Sequence, residues 1–281
     1  METLQLFPFL SEIKSHLDEL YHSIISAKSI TLIAQPKLDQ IISLSLIESS
    51  LIDHGMMYKR IIVDDLDDFE PNNKDFSIYF SEKSSAIDYG IFIESKEISV
   101  EMGQNSTLRN GRIDVVSISG CLALMIGGKR INQLIPFFLA GNWLQPNLDY
   151  TYDPIYTSFR DALRNNGIIS VVTIVEIQDL DIIELPGINT IKLNELKNEW
   201  KNIDLFEQSK KLSELVFPLL NSSLGVARLE ELIWHRIVKP GWDSDLASQC
   251  SRVQRELRSS SKKLIFASRL VDNIIKTGQL Y

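Results

Sequence analysis

The sequence predicts an α/β protein, a mostly parallel sheet flanked by helices with a smaller, mainly helical C-terminal region. Two observations carry that prediction. Short β-rich runs alternate with segments of helical apolar spacing early in the chain, the pattern of a parallel sheet covered on both faces. From about Asn194 onward the spacing is helical, interrupted at Pro218 and Pro240-Gly241. With 281 residues, the chain can form one large domain or a domain with an appendage. We place the α/β domain at residues 1–190. Residues 191–281 form the helical region, either a reduced second domain or an appendage.

Each element follows from local pattern. From Leu6 to Lys28, Leu10, Ile13, Leu17, Leu20 and Ile24 recur at helical spacing and predict a surface helix with one buried face. Ser29–Ala34 reads as a buried strand, and Ile41–Ile52 returns to helical spacing, ending near Gly55. Tyr58–Val63 is a second strand, closed by the acidic turn Asp64–Asp68. Phe76–Phe80 and Tyr89–Ile93 are two more strands. Glu97–Val116 is less regular, and Asn105–Arg112 reads as a loop. Ser117–Gly127 is a small-residue helix able to pack closely on a sheet. Ile131–Leu144 is an apolar helix broken at Asn142 and Pro146. Asp153–Asn166 is a helix ending at Gly167, a suitable C-cap. The β-branched run Ile168–Ile177 predicts a strand that is either central or free to add to a partner's sheet. Leu246–Lys276 reads as one long helix, with Val253, Leu257, Leu264, Val271 and Ile274 as its buried stripe.

Bulk chemistry narrows the function classes. The hydrophobic fraction is 44% and the charged fraction 23%, ordinary for a globular chain. No run of eighteen apolar residues is present, and the first ten residues lack a basic segment followed by a long apolar one. The expectation is a cytoplasmic protein without a membrane span. Cys121 and Cys250 stand far apart without a CxxC spacing, which points to neither a zinc site nor a disulfide framework. A net charge of −8 is wrong for a protein whose main task is coating nucleic acid. That charge is uneven: residues 205–281 hold 12 basic and 8 acidic side chains, leaving 17 and 29 for residues 1–204. An acidic body with a mildly basic tail favours protein partners first and nucleic acid second.

The catalytic inventory is thin. His16 and His22 are six apart on one helix, not the i, i+4 spacing of a metal pair. His54 ends a helix beside Gly55, and His235 stands alone. Gly127-Gly128-Lys129 lacks the upstream glycine of a P-loop, and Ser119-Gly120-Cys121 has no suggested base. The informative stretch is the strand, turn and helix around Gln35-Pro36-Lys37-Leu38-Asp39-Gln40.

That stretch, with the element order through residue 146, resembles the N-terminal domain of DHH phosphoesterases of the RecJ type. Members of that family read H-x-D-x-D-G here. The corresponding positions are Gln35, Lys37, Asp39 and Gln40, so only Asp39 matches. The family's second motif, an Asp after a strand, falls at Phe80-Ser81-Glu82. Its Asp-His-His motif falls at Glu94-Ser95-Lys96, with no histidine. Its fourth, an Asp in a Gly-rich turn, falls at Leu139–Pro146 without an Asp. A two-metal site needs clustered carboxylates and imidazoles, and a fixed cation such as Lys37 repels dications. The resemblance is closest to the inactivated archaeal homologues of the cell division control protein 45 family. It implies a non-catalytic protein with no cofactor, associating with GINS subunits and the MCM replicative helicase. The chain also lacks the Gly-Gly-Gly-His signature of the second domain of active members.

Two surface features complete the expectation. Arg252, Arg255, Arg258, Lys262, Lys263 and Arg269 offer a basic helical face for weak DNA contact, or a plain solvated face. The acidic stretches Asp64–Glu70 and Asp179–Glu184 are docking edges or solvated turns. A competing expectation, from another functional class, is an active metal-dependent phosphoesterase or single-strand exonuclease. It would use a rearranged ligand set including Asp39, Glu82 and Glu94.

Overall fold

A strand that reads Ile-Thr-Leu-Ile-Ala has no polar face to give to solvent, and Ile30–Ala34 (β1) is buried at all of its positions. In this computed structural model, residues 3–66, 75–81, 89–102, 107–144, 153–182, 185, 187–221 and 226–281 are described. The neighbours of β1 are Tyr58–Ile62 (β2) and Phe76–Tyr79 (β3), and Gly90–Phe92 (β4) follows β3. All pairs are parallel, with Leu32 opposite Arg60 on one side and Ile78 on the other. The four-stranded sheet thus runs β2-β1-β3-β4, and the predicted mixed α/β class is what forms.

The chain opens with a short helix, Thr3–Leu6 (α1), a 3₁₀ segment, Pro8–Ile13, and Lys14–Ser26 (α2). The single helix expected from Leu6 is divided because Pro8 has no N–H to continue the ladder and starts a new N-terminus. Leu38–Asp53 (α3) is buried on every face along most of its length, from Gln40 to Leu51. Such a helix has no surface of its own. The strongly apolar Val115–Ile126 (α4) packs against it.

Between them lies a correction. The stretch that reads as irregular, with a loop at Asn105–Arg112, is an antiparallel hairpin of Lys96–Met102 (β5) and Thr107–Ile113 (β6). Asn105 and Ser106 lie outside the described residues. The outer strand carries Thr107 to Asn110 exposed, so it lacks the apolar alternation that marks a half-buried strand. The Glu12 carboxylate holds the hairpin from below, accepting from the Ser99 N–H at 2.8 Å.

After α4 come Ile131–Leu134 (α5), a 3₁₀ segment, Ile135–Leu139, and Ala140–Leu144 (α6). These replace the one apolar helix that the spacing predicts. Pro136 tightens its middle into 3₁₀ geometry, and the expected break at Pro146 lies outside the described residues. Pro154–Asn165 (α7) ends at Gly167, whose φ of 69° is the left-handed geometry a C-cap glycine supplies. The strand predicted over Ile168–Ile177 shrinks to Ser170–Val172 (β7), because Glu176 accepts from the Thr173 N–H at 2.9 Å and closes a 3₁₀ turn over Ile174–Glu176.

The remaining helices are Thr190–Glu199 (α8), Leu205–Val216 (α9) and Val226–Trp234 (α10). Arg236–Val238 (β8) pairs antiparallel with β7, so Val172 stands opposite Arg236. The long C-terminal helix is two: Leu246–Ser259 (α11) and Lys263–Thr277 (α12). Three consecutive serines, Ser259 to Ser261, separate them. The Ser260 hydroxyl accepts from the Lys262 N–H at 3.2 Å, a local bond that competes with helix continuation. Val253, Leu257, Val271 and Ile274 are buried as expected, Leu264 is half-buried, and α12 lies along α3. No described helix is long and apolar enough to cross a membrane.

One cap carries a pH consequence. Asp114 caps α4, its Oδ1 accepting from the Ser117 N–H at 2.9 Å. Its Oδ2 lies 3.0 Å from the Ser117 hydroxyl, which is also 2.8 Å from the Phe138 carbonyl. A hydroxyl has one proton. When that proton goes to Phe138, Oδ2 faces a lone pair, and only a protonated Asp114 satisfies both. Burial, with repulsion from Asp153 adding to it, pushes Asp114 up to about 6 against the pull of its hydrogen bonds. A folded value above the ordinary carboxylate value contributes stability below about pH 4 that is lost as pH rises through about 6. Asp114→Asn keeps the cap, donates to the Ser117 oxygen and is expected to flatten that loss, which is on the order of 2 kcal/mol. Thermal melts of both proteins at pH 4 and pH 8 measure this. A D114N variant as pH-sensitive as the parent contradicts the assignment.

Candidate functional site: the carboxyl end of the parallel sheet

In an open parallel sheet, ligands bind outside the carboxyl ends of the strands where the strand order reverses. Here that crevice lies between β1 and β3, and the turn leaving β1 is Gln35–Lys37. The Gln40 side chain closes the turn from within α3, accepting from the Gln35 N–H at 2.7 Å. Gln35 donates from Nε2 to the Asp64 carbonyl at 3.1 Å and accepts from the Lys37 ammonium at 2.8 Å. Lys37 occupies the N-cap of α3 in extended geometry and makes no side-chain cap. Asp39 sits in the first turn, half-buried. Burial raises its carboxyl above the usual range, opposed by backbone N–H donation at Gln40 and by the Lys37 charge.

Among the described residues, Glu94, Ser95 and Lys96 do not converge on Asp39, whereas Leu144 of the Leu139–Pro146 stretch lines the same cleft as Asp39. Glu94, Ser95 and Lys96 leave β4, two strand spacings and about 10 Å from β1. The Ser95 hydroxyl is a partner of the Arg112 guanidinium, and Lys96 begins β5. Glu94 and Lys96 act on His16 of α2: burial and Lys96 lower its pKa, while Glu19 and Glu94 oppose them. Glu82 lies outside the described residues, as do Asp67 to Glu70 and Glu184 of the acidic stretches. Among the described residues, no group of three or more His, Cys, Asp or Glu could hold a metal ion. Gln35, Lys37, Asp39, Glu94, Ser95 and Lys96 do not fit the two-metal centre of the DHH family. They supply two ammonium groups and two carboxylates, one in the first turn of α3 and one beyond the end of β4, with no imidazole.

What does converge on Asp39 comes from the C-terminal helices. A cleft of about 280 Å³ opens at the turn, lined by Pro36, Lys37, Leu38 and Asp39 below and by Gln254, Leu257, Arg258 and Lys263 above, with Leu144 closing one side. The basic residues expected on one helical face therefore divide. Arg252 forks onto both carboxylate oxygens of Asp179, and Arg255 reaches Asp181 at 2.6 Å. Those pairs tie α11 to the chain after β7 and satisfy both arginines. Arg258 and Lys263 face the cleft, while Lys262 and Arg269 are exposed outside its lining. Gln254 joins them because it precedes Arg258 by one helical turn, a spacing visible in the sequence. Its position opposite Lys37 is set only by the packing of α11 on α3 and α6. The chain matches no family model and no curated protein.

Proposed function

We propose that this chain is a non-catalytic scaffold with a DHH-like frame, acting in the replication machinery beside GINS subunits and the MCM helicase. The observation that supports it is the charge at the carboxyl end of β1. Lys37 stands where the family carries a metal-binding carboxylate, Arg258 and Lys263 add two more cations, and among the described residues Asp39 is the one carboxylate of the lining. A dication brought there meets net positive charge, which costs binding energy instead of supplying it. Asp39 then acts as the acidic residue of a helix's first turn, where a carboxylate is favoured.

The test combines chemistry and partnership. Purified protein with Mn²⁺ or Mg²⁺ is expected to leave single-stranded DNA intact, with the same background in Asp39→Ala. Tagged protein is expected to retain GINS subunits from a native extract. Degradation that vanishes in Asp39→Ala would favour the active phosphoesterase. Failure to retain GINS would remove the replication assignment.

A further inference from the structure

The cleft that repels a metal suits an anion, and we propose that it binds a terminal phosphate monoester held by Lys37, Arg258 and Lys263. The inference goes beyond the scaffold reading and does not depend on it. Three observations on the cleft carry it.

The first is uncompensated charge. Among the described residues, the lining holds three cations against the single carboxylate of Asp39. The Lys37 ammonium bonds a neutral amide, the Gln35 oxygen, which leaves its charge in place. Arg258 and Lys263 have no ion-pair or hydrogen-bond partner among the described residues. The other arginines of α11, Arg252 and Arg255, are both paired.

The second is the direction of the helices. Lys263 shares the cleft with Leu38 and Asp39 at the start of α3, and nine residues further along each helix Asp272 and Glu48 meet on the same guanidinium, Arg60. So α3 and α12 run side by side in one direction and aim both N-termini at one space. Their N-cap residues are Lys37 and Lys262, neither of which makes a side-chain cap. By contrast, α4, α7, α9 and α11 are capped by Asp114, Asp153, Asp204 and Asp245. A lysine at an N-cap adds positive charge to the positive end of a helix, an arrangement an external anion relieves.

The third is size. About 280 Å³ falls below the usual range for small-molecule pockets, about 300–1,000 Å³. It admits a phosphate with part of the group that bears it. A monoester carries roughly −1.5 to −2 at neutral pH, matching three cations less one carboxylate better than the single charge of an internal diester does. Pro36, Leu38, Leu144 and Leu257 supply the apolar remainder of the wall.

Two sources offer that group, a free nucleotide and the end of a nucleic-acid strand. Calorimetric titration of the full chain at about 0.15 M salt with inorganic phosphate, AMP and single strands with or without a terminal phosphate separates them. AMP as the tighter ligand assigns a free nucleotide, and the phosphorylated strand as the tighter ligand assigns a strand end. Arg258→Ala and Lys263→Ala are each expected to weaken binding by about tenfold, in keeping with loss of one charge-assisted hydrogen bond. Both side chains are exposed, so folding is expected to be unaffected, and an unchanged melting temperature checks this. Lys276→Ala, in the last turn of α12, is expected to change nothing. No binding of any of these ligands, equal affinity for the two strands without tighter binding of AMP, or affinity that survives Arg258→Glu with Lys263→Glu overturns the proposal.

Discussion

Replacing Arg236 by methionine is expected to destabilise the protein by about 3–5 kcal/mol, because it leaves a buried carboxylate without its counter-charge. Neither Arg236 nor Asp245 exposes any of its side chain. The guanidinium donates from Nε to the Leu232 carbonyl at 2.6 Å and from Nη1 to Asp245 Oδ1 at 3.0 Å. Asp245 is committed elsewhere as well. It caps α11, accepting from the Ser248 N–H at 3.1 Å and from the Ser248 hydroxyl at 2.5 Å. One ion pair therefore fixes the end of α10, the strand β8 and the start of α11, the helix that carries Arg258 to the cleft. Lysine is a poor substitute, since a single ammonium cannot serve a carbonyl and a carboxylate in the fork geometry of a guanidinium. For a chain of this size the loss corresponds to a fall of roughly 10 °C in melting temperature. Adding Asp245→Asn to Arg236→Met is expected to recover part of it, because the amide still caps α11 and carries no charge to desolvate. A loss below about 1 kcal/mol in the single variant, or no recovery in the double, would show that the pair is not what holds these elements.

The four parallel strands are legible because each is a short run of β-branched and aromatic residues bounded by turn chemistry, and buried strands need little else. The hairpin β5–β6 is not. Its outer strand, Thr-Leu-Arg-Asn-Gly-Arg-Ile, is polar at most positions, and its pairing is imposed by the inner strand and by Glu12. Helix breaks escape the pattern for a related reason. Apolar periodicity passes through Ser259–Ser261 and past Pro8 unchanged, while the backbone follows hydrogen-bond supply instead. The candidate site divides the same way. Lys37 and Asp39 are local, neighbours on one strand-to-helix turn, and their oddness shows in the sequence. Arg258 and Lys263 are visible there only as members of a basic stretch. Their separation from Arg252 and Arg255 depends on Asp179 and Asp181, 73 and 74 residues from those arginines. The charge of the cleft is thus a tertiary property of residues whose types, but not whose partners, the sequence displays.

Gly120→Ala is expected to destabilise the protein even though alanine is the better helix former by about 1 kcal/mol. Gly120 lies in the middle of α4, where the chain reads Ser-Gly-Cys, and its φ is not what requires glycine. Space is. A Cβ built there would stand within 2.6 Å of three ring carbons of Phe138. Phe138 cannot retreat: it is fully buried, and its ring packs 6.0 Å from that of Phe7, which in turn lies 4.7 Å from Phe159. The added methyl must therefore shift either α4 or the 3₁₀ segment that carries Phe138, and overpacking of this kind costs about 1–3 kcal/mol. The segment leads directly into α6 and Leu144, which closes the cleft, so the strain reaches the candidate site as well. Gly120→Ala with Phe138→Leu is expected to regain most of the lost stability, since the smaller side chain vacates the volume the methyl needs. Urea denaturation of the two single variants and the double measures the coupling. Additive losses in that cycle would mean that the contact between α4 and the 3₁₀ segment is not what demands glycine at this position.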